Sequence, residues 1–360
     1  MGDRIKLYEI AALAGVSVST VSRVLSHDTR KPASKATAER VQQAAAQLGY
    51  YGGAAPEALV QPNRQILCIL SGQAYTYSDY VYAEIMRGIQ MELQKYNCRL
   101  AQMLSAVGID ESIRALETEC SRYSGIILLG RISQEKIRFL HTLTRNIVYA
   151  GLNPLDFPMD QVVCNSYHAI RDIMDYLIGI GHRRIAFLGV IPKKNGPVIN
   201  ESRFDAYRDS LKHHGLPLEP ELCLNVELTA ECAYEAIERF LASGVRLPDA
   251  IICSTDSCAV ATISALKRNG IRIPEDISVA GHDGVELSSF IEPQLTTVNM
   301  QKYDLGRFAA ILLNDRMDGK HTDPVRIELP HHLSIQQSCR KLTDWAYPRR
   351  AQSAVRVLKA

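Results

Sequence analysis

The sequence predicts an α/β chain, with an N-terminal three-helix headpiece followed by two doubly wound α/β lobes. Three observations predict it. Residues 7–25 read as two short helices around a tight turn. Short apolar runs then alternate with helical periodicity from Ile66 to Gly281, and that alternation falls into two successive blocks. At 360 residues the chain is too long for one ordinary core, so two or three domains are expected. Its 46% hydrophobic and 22% charged residues are ordinary for a soluble globular protein. The longest apolar runs, such as Ile126–Leu129, are strand-sized, and no membrane span is expected.

The first helix has an apolar face at Leu7, Ile10, Ala11 and Ala14; Val16, Val21, Val24 and Leu25 supply the facing one. Gly15 gives the turn its backbone freedom, and Ser17 stands where a helix N-cap belongs. The second helix leaves Val18, Ser19, Ser22 and Arg23 outward. This surface is small, hydroxyl-rich and singly basic, so it can lie against a duplex. Hydroxyls bond phosphate oxygens, and an arginine can make a bidentate contact to guanine. The segment therefore reads as a helix-turn-helix with a reading second helix. The competing interpretation, a two-helix hairpin inside a larger core, fits poorly with a motif starting at residue 7. A third helix, Ala36–Leu48, has an apolar stripe at Val41, Ala44, Ala45 and Leu48 and completes the headpiece. Residues 1–51 hold seven Lys or Arg against four Asp or Glu, leaving the rest of the chain near neutral. That excess suits a duplex partner and is far too small for a general polyanion binder.

Gly52–Pro62 follows, flanked by Gly and Pro as a linker would be. Ile66–Leu70 then reads as a strand, Tyr82–Tyr96 as a helix, Arg99–Leu104 as a strand, Glu111–Tyr123 as a helix and Gly125–Leu129 as a strand. Gln134–Leu143 is a helix, and strands at Asn146–Gly151 and Val162–Cys164 close the first block. The second opens with a helix over Tyr167–Ile180 and a strand over Arg184–Gly189. Helices at Ser202–His214 and Ala230–Ala242 follow, then a strand at Ala250–Cys253, a helix at Cys258–Asn269 and a strand at Ile277–Gly281. Strands alternating with helices make parallel sheets covered on both faces, and their ligands sit at the carboxyl ends of the strands. A cleft between two such lobes is the expected pocket.

Nine cysteines are scattered singly without a Cys-x-x-Cys pair, so reduced core thiols and a cytoplasmic location are expected. The chain starts directly with a charged amphipathic helix, with no leader segment expected. His213-His214 and His331-His332 are adjacent pairs, lacking the spacing of two metal ligands on one helix face, and no metal or cofactor is expected. No phosphate-cradling glycine loop and no nucleophile elbow appears, which argues against an enzyme on this α/β frame. An enzyme or solute carrier would also have no use for the headpiece.

Val16–Leu25, Glu84–Ile89, Gly181–Gly189, Ile273–Val279 and Pro293–Val298 together resemble the lactose/galactose repressor (LacI/GalR) family, over roughly residues 5–340. The resemblance implies a periplasmic-binding-protein-like core that dimerises, operator DNA as partner and a small effector between the lobes. A sugar is the effector implied first; a purine or another metabolite acting as corepressor is the alternative. It divides the chain into a headpiece 1–51, a hinge 52–63, a core 64–340 and a tail 341–360. Within the core the N-lobe is 64–163 and 292–323, and the C-lobe 164–291 and 324–340, with crossings near 164, 292 and 323. The 26–34 segment and Ser254–Ala259 are similar to the evolved-β-galactosidase repressor branch, which implies a galactoside-type lead.

By the same resemblance Val18, Ser19 and Arg23 face base edges, and Ser17, Thr20 and Ser22 hold phosphates. Val18 offers only apolar contact, such as to a thymine methyl. Leu59 falls where the family inserts a leucine into the minor groove. Pro56 and Pro62 limit any hinge helix there to about six residues, below the ~12 that stand alone in water, and Glu57 favours its N-terminus but would repel phosphates. A plain flexible linker competes with that reading. The sugar contacts map onto Arg203, Thr255, Asp256 and Asp283, with Tyr82 as an aromatic surface on the other lobe. A guanidinium and a carboxylate at strand ends suit paired hydroxyls, whereas each alone reads equally as a surface ion pair or a cap. The tail after Arg340 lacks a heptad repeat, so no tetramerising coiled coil is expected.

Overall fold

The structure, a computed structural model, describes residues 7–25, 33–48, 64–71, 80–105, 121–130, 133–192, 200–343 and 355–359. The chain divides into two compact units, residues 1–61 and 62–360.

The first unit contains helices α1 (Leu7–Ala14), α2 (Val18–Leu25) and α3 (Lys35–Gln47). Its core is small: Ile10, Ala11, Ala14, Val21, Val41, Ala44 and Ala45 are buried, with Leu7, Val16, Val24, Leu25 and Leu48 packed around them. The apolar stripes read from the sequence are the ones that meet. Gly15 turns the chain at φ +63°, a left-handed conformation that a side chain would strain. The Val16 amide then bonds back to the Ala11 carbonyl at 3.1 Å. Ser17 caps α2 and Ser34 caps α3, each hydroxyl accepting from the amide three residues on, at 3.2 and 3.3 Å.

In the second unit, the N-lobe is a seven-stranded sheet. Its strands are β1 (Arg64–Ser71), β2 (Cys98–Ser105), β3 (Gly125–Gly130), β4 (Ile147–Gly151), β5 (Asp160–Val163), β11 (Val325–Glu328) and β13 (Arg356–Lys359), in the order β13-β11-β5-β4-β3-β1-β2. All pairs are parallel except β11–β13. Strand alternation feeds two layers: Ile66 and Cys68 face helices α4 (Tyr80–Lys95) and α10 (Lys302–Met317), while Leu67 and Ile69 face α5 (Gln134–Leu143). Helices α4 and α10 cross at Gly88 and Gly306. A Cβ on Gly88 would meet the Tyr303 carbonyl oxygen at 2.1 Å, and one on Gly306 the Ile85 oxygen at 1.9 Å. Glycine is needed at both for the two backbones to touch.

The C-lobe sheet runs β7-β6-β8-β9, all parallel, from β6 (Ile185–Gly189), β7 (Cys223–Asn225), β8 (Ala250–Cys253) and β9 (Ser278–Ala280). Helices α6 (Ser166–Gly179) and α7 (Arg203–His213) cover one face through Phe187 and Ile252. Helices α8 (Ala230–Ala242) and α9 (Asp256–Arg268) cover the other through Leu188 and Ile251. A two-stranded ribbon of β10 (Thr297–Met300) and β12 (His331–Ser334) lies beside β9.

Three features depart from the sequence reading. The chain passes between the sheets after Val163, at residue 301 and at residues 329–330; the last two lie beyond the expected 292 and 323. The cause is hydrogen bonding: the Gly281 amide bonds the Thr296 carbonyl, holding 296–300 to the C-lobe, while β11 pairs with β5 and keeps 325–328 in the N-lobe. Second, the tail supplies a strand, β13, antiparallel to β11. Third, β7, β10 and β12 are too short, and partly too exposed, to give a clear period-two signal. The expected helix at Glu111–Tyr123 and the hinge 52–63 fall outside the described residues, apart from Ser121–Tyr123 at the end of the former.

Candidate functional site

On the headpiece, α2 presents a hydroxyl cluster at its N-terminus. The Ser17 hydroxyl lies 2.9 Å from that of Ser19 and 2.8 Å from that of Thr20. Arg23, one turn on, reaches the Thr20 hydroxyl at 3.4 Å. Ser17, Ser19 and Ser22 are exposed, Thr20 and Arg23 half-buried, and Val18 keeps 45% of its surface. Three of the six sequence-predicted residues thus share one hydroxyl cluster, with Arg23 bonded to it and Val18 and Ser22 exposed on the same short helix. The helix N-terminus adds a partial positive charge suited to phosphate. Leu59 lies outside the described residues.

The core's cleft runs between the lobes and opens to solvent. From the N-lobe it receives Val81, Tyr82 and Ile85 of α4, Gly130 at the end of β3, and Tyr149 to Asn153 at the end of β4. From the C-lobe come Asn200, Arg203, Leu228, Thr255 and Asp283. The strand carboxyl ends and the helix starts of α7 and α9 converge here, as the topology of parallel sheets requires. Among the described residues three hydrogen bonds tie the lobes across it, one of them from the Asn200 amide to the Gly130 carbonyl at 3.3 Å. The Asn200 amide donates to the Tyr149 hydroxyl at 2.7 Å, and the Ser202 hydroxyl to Asn153 Oδ1 at 2.7 Å. Ser202 precedes α7 and makes no side-chain cap bond to that helix.

Arg203, the first residue of α7, is buried and forked onto Glu201, with Nε and Nη2 donating at 2.8 and 2.5 Å. Its Nη1 donates to the Ser254 carbonyl at 2.7 Å. Asp283 sits at φ +122°, a conformation an L residue adopts only when its surroundings impose it. Its carboxylate meets His282 Nδ1 at 2.9 Å. Burial pushes the Asp283 carboxyl up to about 7, with Arg203 and Lys302 pulling the other way. Burial pushes His282 down to about 3, so the imidazole is neutral. Lys302, at the start of α10, donates to the carbonyls of Asp283, Gly284 and Met300 at 2.6, 2.9 and 3.3 Å.

Of the residues read from the sequence, Tyr82, Arg203, Thr255 and Asp283 line the cleft together. Asp256 does not. Fully buried behind its surface, it accepts from the Val285 amide at 2.8 Å and from the Thr297 hydroxyl at 2.5 Å. Thr255 caps α9, accepting from the Cys258 amide at 3.2 Å, and the next residue turns inward. Tyr149, Asn153, Asn200 and Glu201 were not read as site residues. The rule that ligands gather at strand ends points to the first two; the carboxylate two positions before a helix-starting arginine is the signal for Glu201. Among the described residues no three His, Cys, Asp or Glu side chains gather as a metal site would need.

Residues 6–52 match the family model described as bacterial regulatory proteins, lacI family, and residues 174–339 match the periplasmic binding protein-like domain. The regulator CelR of Thermobifida fusca is 30% identical over 337 residues, spanning 91% of this chain and 96% of its own. The chain belongs to the LacI family. Catabolite control protein A of Priestia megaterium is 28% identical over 93% of this chain and 99% of its own. Among solved structures, a CelR–cellobiose complex superposes with a TM-score of 0.68 at 28% identity, covering 93% of this chain and 100% of that one. This LacI-family chain is a DNA-binding transcription regulator and not an enzyme. Its lobes are the periplasmic-binding-like pair expected from the alternation of strands and helices.

Proposed function

We propose that this regulator represses transcription as a homodimer on a pseudo-palindromic operator, and that a saccharide bound between the lobes tunes its grip. The observation that carries the effector reading is the cleft. Arg203, Asp283, Asn153 and Thr255 converge there from both lobes, offering donors and acceptors to a polyhydroxylated molecule beside Tyr82. That a relative's structure holds cellobiose supports it. In this reading Val18, Ser19 and Arg23 face bases, Ser17, Thr20 and Ser22 hold phosphates, and Leu59 wedges the minor groove from a hinge at 52–63. Strand pairing supports an N-lobe of 64–163 and 302–328 and a C-lobe of 165–300 and 331–343.

Dimerisation is supported by Phe290, 76% exposed, with Leu287 and Ile335 also exposed on C-lobe segments that bond to one another. A cytoplasmic location is supported by the eight described cysteines, all free. Lobe closure that re-spaces two headpieces gives a linkage of about 1–3 kcal/mol. The test is a thermal-shift and anisotropy series on the full chain, with cellobiose, galactose and hypoxanthine and a duplex selected from a random pool. A saccharide that raises the melting temperature and changes duplex affinity supports the reading; a response to hypoxanthine alone overturns it.

A further inference from the structure

We propose that the cleft selects uncharged saccharides over phosphorylated or acidic ones, and that Glu201 is the residue that sets this choice. The inference rests on the saccharide reading above and narrows it. Among the described residues lining the cleft, Arg203 is the cation. A bare guanidinium at the start of a helix would be an anion receptor, since fork geometry and helix polarity both favour a phosphate or carboxylate there. Here the Nε–Nη2 side of that fork is taken from within the protein, and at least three of the five N–H donors are engaged. Glu201 takes Nε and Nη2 and also accepts from the Arg203 amide at 3.2 Å, while the Ser254 carbonyl takes Nη1. The ion pair is deep, with side chains 5% and 1% exposed.

The second nearby cation is turned away from the cleft's contents by the backbone it holds. Lys302 has three N–H bonds to give, and three carbonyl oxygens receive them. Among the described residues, an anionic ligand entering the cleft would meet the Asp283 carboxyl, with Glu201 buried behind the surface and already paired to the lining guanidinium, and buried charge is costly unless paired. A neutral sugar carries no such penalty. Its hydroxyls can donate to Asp283 and accept from amides and hydroxyls such as Asn153 and Thr255. Asp283, its carboxyl pushed up to about 7, serves hydroxyls in either protonation state.

The test is calorimetric titration of the full chain with cellobiose, galactose and glucose, and with glucose 6-phosphate and glucuronate, repeated on Glu201→Gln. In the native chain the uncharged sugars bind and the anionic two bind at least about tenfold more weakly. In Glu201→Gln, glucose 6-phosphate or glucuronate gains about tenfold relative to the native chain. Should the variant fail to fold, the native-chain ratio decides alone. Glucose 6-phosphate binding the native chain as tightly as the best neutral sugar overturns the inference and leaves the saccharide reading standing. Failure of every sugar, charged or not, overturns the saccharide reading and this inference with it.

Discussion

The headpiece and the cleft solve the same problem, recognition, in opposite ways. The headpiece displays its chemistry. Ser17, Ser19 and Ser22 are exposed on a helix whose fold rests on seven small buried residues contributed by three neighbouring helices. The cleft hides its chemistry. Arg203, Glu201, Asp283 and Lys302 are buried, and each is held by partners at hydrogen-bond distance. Changes at exposed headpiece side chains other than the helix caps should therefore cost binding while sparing the fold, whereas changes in the core should cost the fold first.

The largest effect tests the core side of that contrast. Gly306→Val places a side chain against the Ile85 carbonyl, where backbone leaves no room. We expect a loss of roughly 3 kcal/mol or more in urea unfolding of the core; a change below 1 kcal/mol would remove the close crossing from the account. Arg23→Ala tests the other side. It should weaken binding to the selected duplex by about 1–3 kcal/mol with the thermal transitions unmoved, and loss of both together would erase the distinction.

A third measurement sharpens the contrast through pH. Asp283, pushed up to about 7, keeps its proton in the folded chain where an unfolded aspartate has lost it, so its contribution to stability falls as pH rises from about 4 to 7. His282, pushed down to about 3, works in reverse: the unfolded chain binds the extra proton, and stability grows as pH rises towards 6.5. The two oppose each other between about pH 4 and 6.5. Asp283→Asn removes that opposition while Asp256, pushed up to about 6 by burial, keeps its own, so stability should climb across that window by up to about 1.4 kcal/mol per pH unit relative to the native chain. A flat difference would separate the pair. The smallest effect is Ser17→Ala, which removes the cap of α2 and should cost the headpiece about 1 kcal/mol by calorimetry, with a matching loss of duplex affinity.

The contrast also explains what could be read in the sequence. Residues 7–48 fold on contacts between near neighbours, so the periodicity of Ile10, Ala14 and Val21 and the cap at Ser17 displayed the headpiece almost completely. The parallel strands, buried on both faces, were equally plain as apolar runs. The cleft was legible only in part. Thr255 and Asp256 are adjacent at a helix start, and periodicity does not tell which one turns inward. Asn200 meets Tyr149 across 51 positions of chain, a pairing that no local pattern encodes. The short strands β7, β10 and β12, like the tail strand β13, owe their conformation to the edges they pair with.

Lys302 begins α10, and Asp318 immediately follows it. At one end of this helix the ammonium holds the backbone of Asp283; at the other, Asp318 receives Arg64 at 2.6 Å, on the first residue of β1. Sixteen residues of helix span about 24 Å between these anchorages. One helix thus joins the backbone beside the cleft at residue 283 to the first residue of β1 at residue 64.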